Sequence, residues 1–509
     1  MQSVHVARLD HLGLIARMIK DVGLISRIDA RLVPDVQEEI TPGEAVAGMI
    51  LNGLGFAHKP LTLTPQFFAN KPLDLLCREG VHAEMCNRLK LGRTLDAVHA
   101  YGCDLLLRAL ALAGCAQERS EHRFAHLDTT SFSLTGAYVP ESDEHAMHIT
   151  HGYSKDHRPD LKQAVVELLV SPDGGMPLGS KSWDGNTSDT QICKERAEAL
   201  LVAVASASTP RYLVADAKLY TEDTAPTRAK LGFLTRIPGT IKLVSQVITQ
   251  AREENRWHHL DETTRYDRLE LCHYGIAQRW RVGSSQAAME RAEASLTKAQ
   301  QRAWEAIEKH LFHLHAQRFE TPEAAQAALQ ALSTAGRSHP LDTSRVIEHK
   351  RYAGQGRPTP TSPLKAIAWQ IQAQVRPAQE VIEAHKHQRA CCVIGTNIPA
   401  CHVSDAEVLR AYKAQSGVEG GCRLLKDPLF CVSSLFVKKP RRIQGLLMVM
   451  TLALLVYSLP QRRLRQQLAA PNATIPNQLH QPTERPTLRW VFQLLEGIHR
   501  VRVMVQGQV

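Results

Sequence analysis

The spacing of apolar residues changes twice along the chain. From residue 1 to about 110 they recur at helical intervals. Leu12, Ile15, Ile19 and Val22 mark one helix, and Gly23 is its stop. Thr41, Pro42 and Glu44 form a capping box with proline at the first helical position, which predicts a helix over 44–52. A further helix is predicted over 94–113. From about 122 the pattern becomes that of strands. Residues 124–134 are β-prone and end at Gly136, 147–151 are a second candidate, and 162–170 are a third, closed by the turn Pro172-Asp173-Gly174-Gly175. The turn Gly185-Asn186-Thr187-Ser188-Asp189 leads into a predicted helix over 190–207. Residues 211–216 predict a fourth strand with Asp216 at its C-terminal end, and a short helix and then Phe233-Leu-Thr-Arg236-Ile-Pro follow.

Between about 245 and 388 this rhythm breaks. Short strand-like pieces carry Trp257 and Trp280, long helices are predicted over 285–315 and 322–332, and a loop, GQGRPTPTSP, covers 354–363. Residues 390–398 read again as a buried strand. Ser404 and Glu407 form a second capping box, opening a helix expected to carry both Tyr412 and Glu419. The resulting division is a helical N-terminal domain (1–115), a first core segment (116–245), an inserted mixed α/β subdomain (246–388), a second core segment (389–470) and a basic C-terminal segment (471–509). No internal repeat is evident.

Composition is ordinary for a globular protein, with 44% hydrophobic and 22% charged residues in 509. The location of the charge is more informative. Eleven Lys or Arg and two acids fall between Ser434 and Val509, a local excess of nine in a chain whose net charge is +10. A basic segment on a near-neutral body suggests a polyanionic partner, usually nucleic acid. The clusters Lys438, Lys439, Arg441, Arg442 and Arg462, Arg463, Arg465 bracket an apolar run over 443–459. That run is at the lower edge for spanning a bilayer, and its flanking charges give no orientation bias, so a core helix is expected and no membrane partner. The start of the chain shows no n-region and h-region of a secretory signal. Eleven cysteines without regular pairs argue for a reducing, cytoplasmic compartment. Cys391, Cys392, Cys401, His402, Cys422 and Cys431 fit no common zinc spacing and read as inert thiols.

The stretch from Tyr412 to Lys426 carries the first chemical signal. At 100° per residue from Tyr412, Gln415, Glu419 and Lys426 lie at about −60°, −20° and −40°, and Arg423 at about 20°. A phenol, an amide, a carboxylate and an ammonium thus share one stripe, a pattern that a solvated surface also produces. Two acids elsewhere shift the balance. Asp128 lies inside an apolar strand and Asp216 ends another. A carboxylate in a strand core is costly unless it is paired or bound to a cation. Three acids at strand ends are a way to hold two Mg²⁺ ions, which prefer oxygen ligands and can serve phosphoryl transfer from both sides.

The chain resembles the DDE transposases of bacterial insertion sequences, RNase H-like mobile-element enzymes whose third acid lies in a Tyr-x2-Arg-x3-Glu-x6-Lys motif. Here the motif reads Tyr412-x2-Gln415-x3-Glu419-x6-Lys426. HLDTTSFSLTG around Asp128, HGYSKDHRPDLKQ at 151–163, GNTSD at 185–189, VADAKLY around Asp216, FLTRIP at 233–238 and PTLRWVFQLLEGIHRV at 486–501 look like further family blocks in family order. The resemblance spans roughly residues 1–505. It implies an α/β, RNase H-like mixed sheet flanked by helices, with an insertion between the second and third acids. It also implies that Asp128, Asp216 and Glu419 are the catalytic, metal-binding triad, with two Mg²⁺ ions for which Mn²⁺ can substitute. The implied activity is cut-and-paste DNA transposition: cleavage at element ends, a hairpin intermediate, and transfer of 3′-hydroxyls into target DNA by a homodimer on paired ends, in the cytoplasm with the nucleoid.

Residues assigned to DNA on this reading are Tyr412, Gln415, Arg423 and Lys426 beside the triad, and Lys155 and Arg158 in a basic stretch with His157 and Lys162. Arg236, Lys438, Lys439, Arg441 and Arg442 complete the cationic set, and Trp257 and Trp280 are the candidate stacking surfaces for an extruded base. Gln415 replaces the expected arginine, and an amide cannot supply a charged fork to a phosphate; Arg423 stands on the same face. Two alternatives stay open from sequence: a catalytically silent, transposase-derived DNA-binding protein, and a structure-specific nuclease.

Overall fold

The computed structural model describes residues 3–57, 60–118, 123–139, 143, 145–203, 211–335, 341–353, 364–376, 379–430, 437–470 and 473–504. The expected loop over 354–363, the end of the helix predicted to reach 207, and Cys431 lie outside the described residues.

The chain opens with strand β1 (Ser3–Arg8) and seven helices: α1 (Leu12–Asp21), α2 (Leu24–Asp29), α3 (Pro42–Leu54), α4 (Thr64–Phe68), α5 (Leu73–Leu76), α6 (Arg88–Tyr101) and α7 (Cys103–Gln117). The Thr41 box forms as expected, with the Thr41 hydroxyl accepting from Glu44 N and the Glu44 carboxylate accepting from Thr41 N. The single helix predicted over 94–113 is instead two, bent by 89° at Gly102. Gly102 has φ +103°, which breaks a helix and is open to glycine at little cost.

Next come β2 (Phe124–Leu134), β3 (Lys162–Val170), β4 (Pro177–Trp183), α8 (Asp189–Ala203), β5 (Tyr212–Ala215), α9 (Ala225–Lys230), β6 (Gly232–Arg236) and α10 (Lys242–Glu254). The expected strand over 147–151 is absent apart from a bridge between Thr150 and Gln163. Strand β4, with Gly179, Ser180 and Lys181, had no clear alternation to announce it. The chain continues through β7 (His258–His259), β8 (Thr264–His273), β9 (Ile276–Ser285), α11 (Gln286–Ala316), α12 (Pro322–Ala335), β10 (Leu341–Tyr352), β11 (Leu364–Val375), α13 (Gln379–Ala390) and β12 (Cys391–Thr396). It ends with α14 (Asp405–Lys413), α15 (Ser416–Leu425), α16 (Pro440–Ala469), β13 (Ile475–Pro476), β14 (Pro482–Thr483), α17 (Leu488–Leu494) and β15 (His499–Met504).

The architecture is α/β, with a large mixed sheet of nine strands flanked by helices. The chain divides into two compact units, one of 1–236, 272–278 and 396–509, the other of 237–271 and 279–395. In the first unit the strand order is β4-β3-β2-β5-β6, with β2 antiparallel to β3 and parallel to β5. Helix α16 runs through the core of this unit, packed against α1, α3, α6, α7, α15 and β4. It is long and apolar enough to cross a membrane, and in this fold its apolar run is buried among protein. Burying side chains of this size stabilises by roughly 1.5–3 kcal/mol each. Strand β15 returns to pair with β1, a contact that the helical pattern of the first residues had hidden.

The second unit has its own core. Leu311 and Leu314 of α11, Leu329 of α12 and Ile371 of β11 pack together against the antiparallel hairpin β10–β11. Helix α13 lies beside α10 and α11.

Candidate functional site

The site is assembled in the first unit on the pairing of β2 with β5. The parallel register sets Leu127 beside Ala215, so Asp128 on β2 and Asp216, just past the end of β5, come one residue later. Neighbouring strands lie roughly 4.8 Å apart. Asp216 keeps an extended backbone, its carboxylate accepts from Lys218 N at 2.9 Å, and its carbonyl accepts from the Thr235 hydroxyl at 2.7 Å. Asp128 accepts from Thr129 N at 2.8 Å.

Helix α15 packs over β2 and β3 and brings the third acid. The helix expected to carry Tyr412 and Glu419 together is broken between Lys413 and Ser416, so those two residues stand on successive helices. Ser416 and Gly417 follow the break, and Gly/Ser pairs are a usual cause of such kinks. Gln415 caps the second helix and is 7% exposed, so its assignment to DNA is corrected. Its Nε2 donates to the Leu127 carbonyl at 2.9 Å, and its Oε1 accepts from His126 Nδ1 at 3.0 Å. His126 is fully buried, and burial holds its pKa down at about 4, so the ring is neutral. Its other nitrogen has no partner among the described residues. An arginine in place of Gln415 would put a fixed positive charge against a buried, neutral imidazole and remove the acceptor for its N–H. The amide instead fastens the start of α15 to β2, one turn before Glu419.

The glycines after Glu419 also have a packing role. A Cβ on Gly421 would sit 3.0 Å from Leu168 and 3.1 Å from Leu454, so α15 lies tightly between β3 and α16. Gly420 faces open space and Glu419 is exposed. Arg423 is exposed on the same helix, and Tyr412 is half-buried on α14. Lys426, at the C-cap of α15, pairs with Asp156 at 2.5 Å.

Burial governs the electrostatics of the acids, and like charge adds to it. Burial raises the Asp128 carboxyl to about 6; the charges of Asp216 and Glu419 push in the same direction, against the Thr129 N–H bond and the Lys155 charge. Asp216 lines an open surface, yet enough protein surrounds its carboxyl that burial raises its pKa too, with Asp189 adding to the effect. Among the described residues no group of three or more His, Cys, Asp or Glu side chains stands close enough together to share one ion as placed. The donor set nevertheless suits a hard divalent cation: three carboxylates, two of them disfavoured as anions where they stand.

Two blocks that the sequence had not joined to the acids meet here. Gly152 and Gly185 touch backbone to backbone, so that a Cβ on Gly152 would lie 2.0 Å from the Gly185 carbonyl. Gln163 holds the junction, donating to the Gly185 carbonyl at 2.6 Å and the Tyr153 carbonyl at 3.1 Å. The junction brings Lys155 and Asp189 to Thr129. The Lys155 ammonium donates to the Thr129 carbonyl at 2.7 Å and to its hydroxyl at 2.6 Å, and lies 3.2 Å from Asp189. The Thr129 hydroxyl donates to Asp189 at 2.6 Å. In the sequence Asp189 is the end of a turn; its position in the first turn of α8, with its carboxylate on Thr129 of β2, is a tertiary fact that spacing does not supply.

The remaining cations fall into two classes. Arg158 pairs with Asp160 beside it, and Arg236, Lys438 and Lys439 are exposed. Arg442 makes a two-point contact with Asp96 at 2.9 and 2.6 Å, and Arg441 lies 3.1 Å from the same carboxylate, so these two fasten α16 to α6 rather than standing free for DNA. Trp280 is completely buried in the second unit, with its indole nitrogen against Gly395, which removes it as a surface for an extruded base. Trp257 is half-buried with the Arg265 guanidinium 4.6 Å from its ring centre. The described cysteines are free thiols with no zinc-like grouping.

Residues 4–112, from within β1 to within α7, match a family described as a domain of unknown function (DUF4277). No curated protein and no solved structure matches the chain.

Proposed function

We propose that this chain is a DDE-type DNA transposase, with an RNase H-like core that carries Asp128, Asp216 and Glu419 as its catalytic acids. One observation carries the reading. Three acids from distant parts of the sequence come to one region of the first unit, on β2, just past the end of the adjacent β5 and on α15 packed over β2, and burial holds the Asp128 carboxyl up with the charges of the other two adding to it. A binding module gains nothing from such an arrangement, which costs stability without a cation. The mixed sheet flanked by helices, with the first acid on β2 and the second just past the end of neighbouring β5, supports the same core.

Asp128, Asp216 and Glu419 would hold the divalent ions, and bound Mg²⁺ would supply Lewis-acid stabilisation of the oxygens that attack and leave a phosphate. The protein's own share is positioning and charge. Gln415 sets the start of α15 against β2 and so fixes where Glu419 stands. Exposed Glu419 and Arg423 share the open face of α15, where Arg423 can take a DNA phosphate. The loop that bears Lys155 and Asp156 links the two regions: Asp156 holds Lys426 at the end of α15, and Lys155 turns toward Thr129 beside Asp128. DNA entering this face would meet acids inside and cations around them, an arrangement that orients a phosphate over the carboxylates.

The test is incubation of the protein with DNA carrying its own element ends and Mg²⁺. Nicks, hairpins and strand-transfer products are expected, and Asp128→Asn should lower their rate at least about a thousandfold, the usual scale for loss of a group acting at the reacting phosphate. Tight, end-specific binding without cleavage in Mg²⁺ or Mn²⁺ would reject the enzyme in favour of a binding protein. Cleavage without strand transfer would reject it in favour of a nuclease.

A further inference from the structure

Lys155 comes from one sequence block, Asp189 from another, and both converge on Thr129, the residue after Asp128. The ammonium is held by three oxygens: the Thr129 carbonyl, the Thr129 hydroxyl and an Asp189 carboxylate oxygen. Its side chain and that of Asp189 are mostly covered, at 30% and 23% exposure. This is a fixed cation, unlike an exposed lysine that samples solvent. Lys155 also acts electrostatically on both Asp128 and Asp216. Asp189 raises Asp216, so the anchor and the proposed ligands form one charged group.

We infer that Lys155 is the resident counter-cation of the carboxylate site, clamped by Thr129 and Asp189, and that it competes with the divalent ions that Asp128, Asp216 and Glu419 would hold. The inference rests on the metal-binding reading above and deepens it. Without divalent ions the ammonium offsets the repulsion among the acids and lets them fold together. When ions enter, that same positive charge opposes them, and Asp189 is the anion that keeps it at a distance. The clamp therefore sets the divalent concentration at which the site fills. Lys155 is on this account a positioning and tuning residue, distinct from the DNA contact that the basic stretch around it had suggested.

The experiment is titration of the full-length protein with Mn²⁺ alone, without DNA, followed by calorimetry and by the loss of free-Mn²⁺ paramagnetic resonance. Lys155→Met keeps the length of the side chain and removes its charge. It should bind Mn²⁺ about tenfold more tightly than the parent, since a unit charge within several ångströms of the ion is removed from a partly screened site. Lys155→Gln, which keeps a donor for Thr129, should shift affinity in the same direction and guards against misfolding of the methionine variant. Asp189→Asn should weaken binding, and combining it with Lys155→Met should recover most of the loss, because Asp189 acts largely through the lysine. Unchanged or weaker Mn²⁺ affinity in folded Lys155→Met and Lys155→Gln overturns the inference. Weaker DNA binding in those variants with Mn²⁺ affinity unchanged overturns it as well and returns Lys155 to a phosphate contact. If the parent takes up no more Mn²⁺ than Asp128→Asn, it is the metal-site reading that fails.

Discussion

Arg462 reaches Asp173 at 2.7 Å and lies 3.6 Å from Glu118, while Arg463 binds Glu118 at 2.5 Å and approaches Asp21 at 3.4 Å. Arg442 takes both oxygens of Asp96, Arg500 and Arg502 share Asp74, and Arg489 pairs with Asp427. Asp128 stands in a different setting, a carboxyl raised by burial on which the Lys155 ammonium acts in one direction and Asp216 and Glu419 act in the other. The basic end of the chain thus has most of its charge neutralised by acids of the first unit, whereas at the candidate site four acids, Asp128, Asp216, Glu419 and Asp189, outnumber the two lysines acting on them, Lys155 and Lys218. Charge that finds its opposite inside the fold stabilises the fold. Charge gathered with its own kind costs stability and leaves a demand that only something outside the chain can meet.

The comparison breaks most visibly at Arg462. It is 8% exposed on α16, and replacing it by methionine leaves Asp173 without its cation and Glu118 with Arg463 alone, while keeping the helix apolar and long. Removing the arginine of a pair that is covered on its own side but a third exposed at Asp173 costs about 2 kcal/mol, between the values for buried and for surface pairs. Urea denaturation of the first-unit transition should show that loss, with DNA affinity of the folded protein unaltered. A cost under about 1 kcal/mol would mean that the pairing is ornamental and that the basic segment is free for nucleic acid after all.

A comparable effect of opposite sign is expected at Asp128. Its folded pKa, about 6, lies above the ordinary value of 3.8, so the fold favours the protonated form. Such a group contributes its full stability below about pH 4 and loses it as pH rises toward 6 and beyond. Relative to Asp128→Asn, the metal-free parent should therefore lose about 2 kcal/mol between pH 4 and pH 7.5, with allowance made for the carboxyl's partial exposure. Melting temperatures of the two proteins across that range check it. Added Mn²⁺ should close the gap at pH 7.5. Parallel pH curves without metal would show that the acids are not crowded in solution.

Much of this contrast could be seen in the sequence, and the part that could not has a physical cause. Asp128 inside an apolar strand, Asp216 at a strand end and both capping boxes were legible because each depends on residues within a few positions of one another. The strands around the acids were likewise marked by short apolar runs closed by glycine turns. Gln415 was misread because helical spacing says which residues share a stripe but not whether the stripe meets solvent or a buried histidine 289 residues away. The same holds for Asp189, whose partner Thr129 is 60 residues distant, and for Arg442, whose partner Asp96 is 346 residues distant. Net charge was read correctly as concentrated at the end of the chain, but a count of charges does not reveal their partners. Trp280 shows the same limit, since an aromatic residue suited to stacking on a base is equally suited to a core.

The subtlest expected effect separates the few exposed cations of the basic segment from the paired ones. Lys438 and Lys439 stand exposed just before α16, with Lys439 as its N-cap. Positive charge at a helix N-terminus opposes the helix dipole, so replacing both by alanine should leave stability unchanged within about 0.5 kcal/mol or raise it slightly. If the two lysines meet phosphates, the double variant should bind DNA more weakly at low salt, and the slope of log affinity against log salt should become shallower by about two. Arg442→Ala supplies the contrast on the same helix. It should lower stability by leaving Asp96 to Arg441 alone, because a partly covered two-point ion pair is lost, yet leave the salt slope of DNA binding as it was. Two variants a few residues apart would then move two different observables, stability for the arginine and counterion release for the lysines. A salt slope that fell for Arg442→Ala and held for the lysine pair would invert the division between structural and DNA-facing charge.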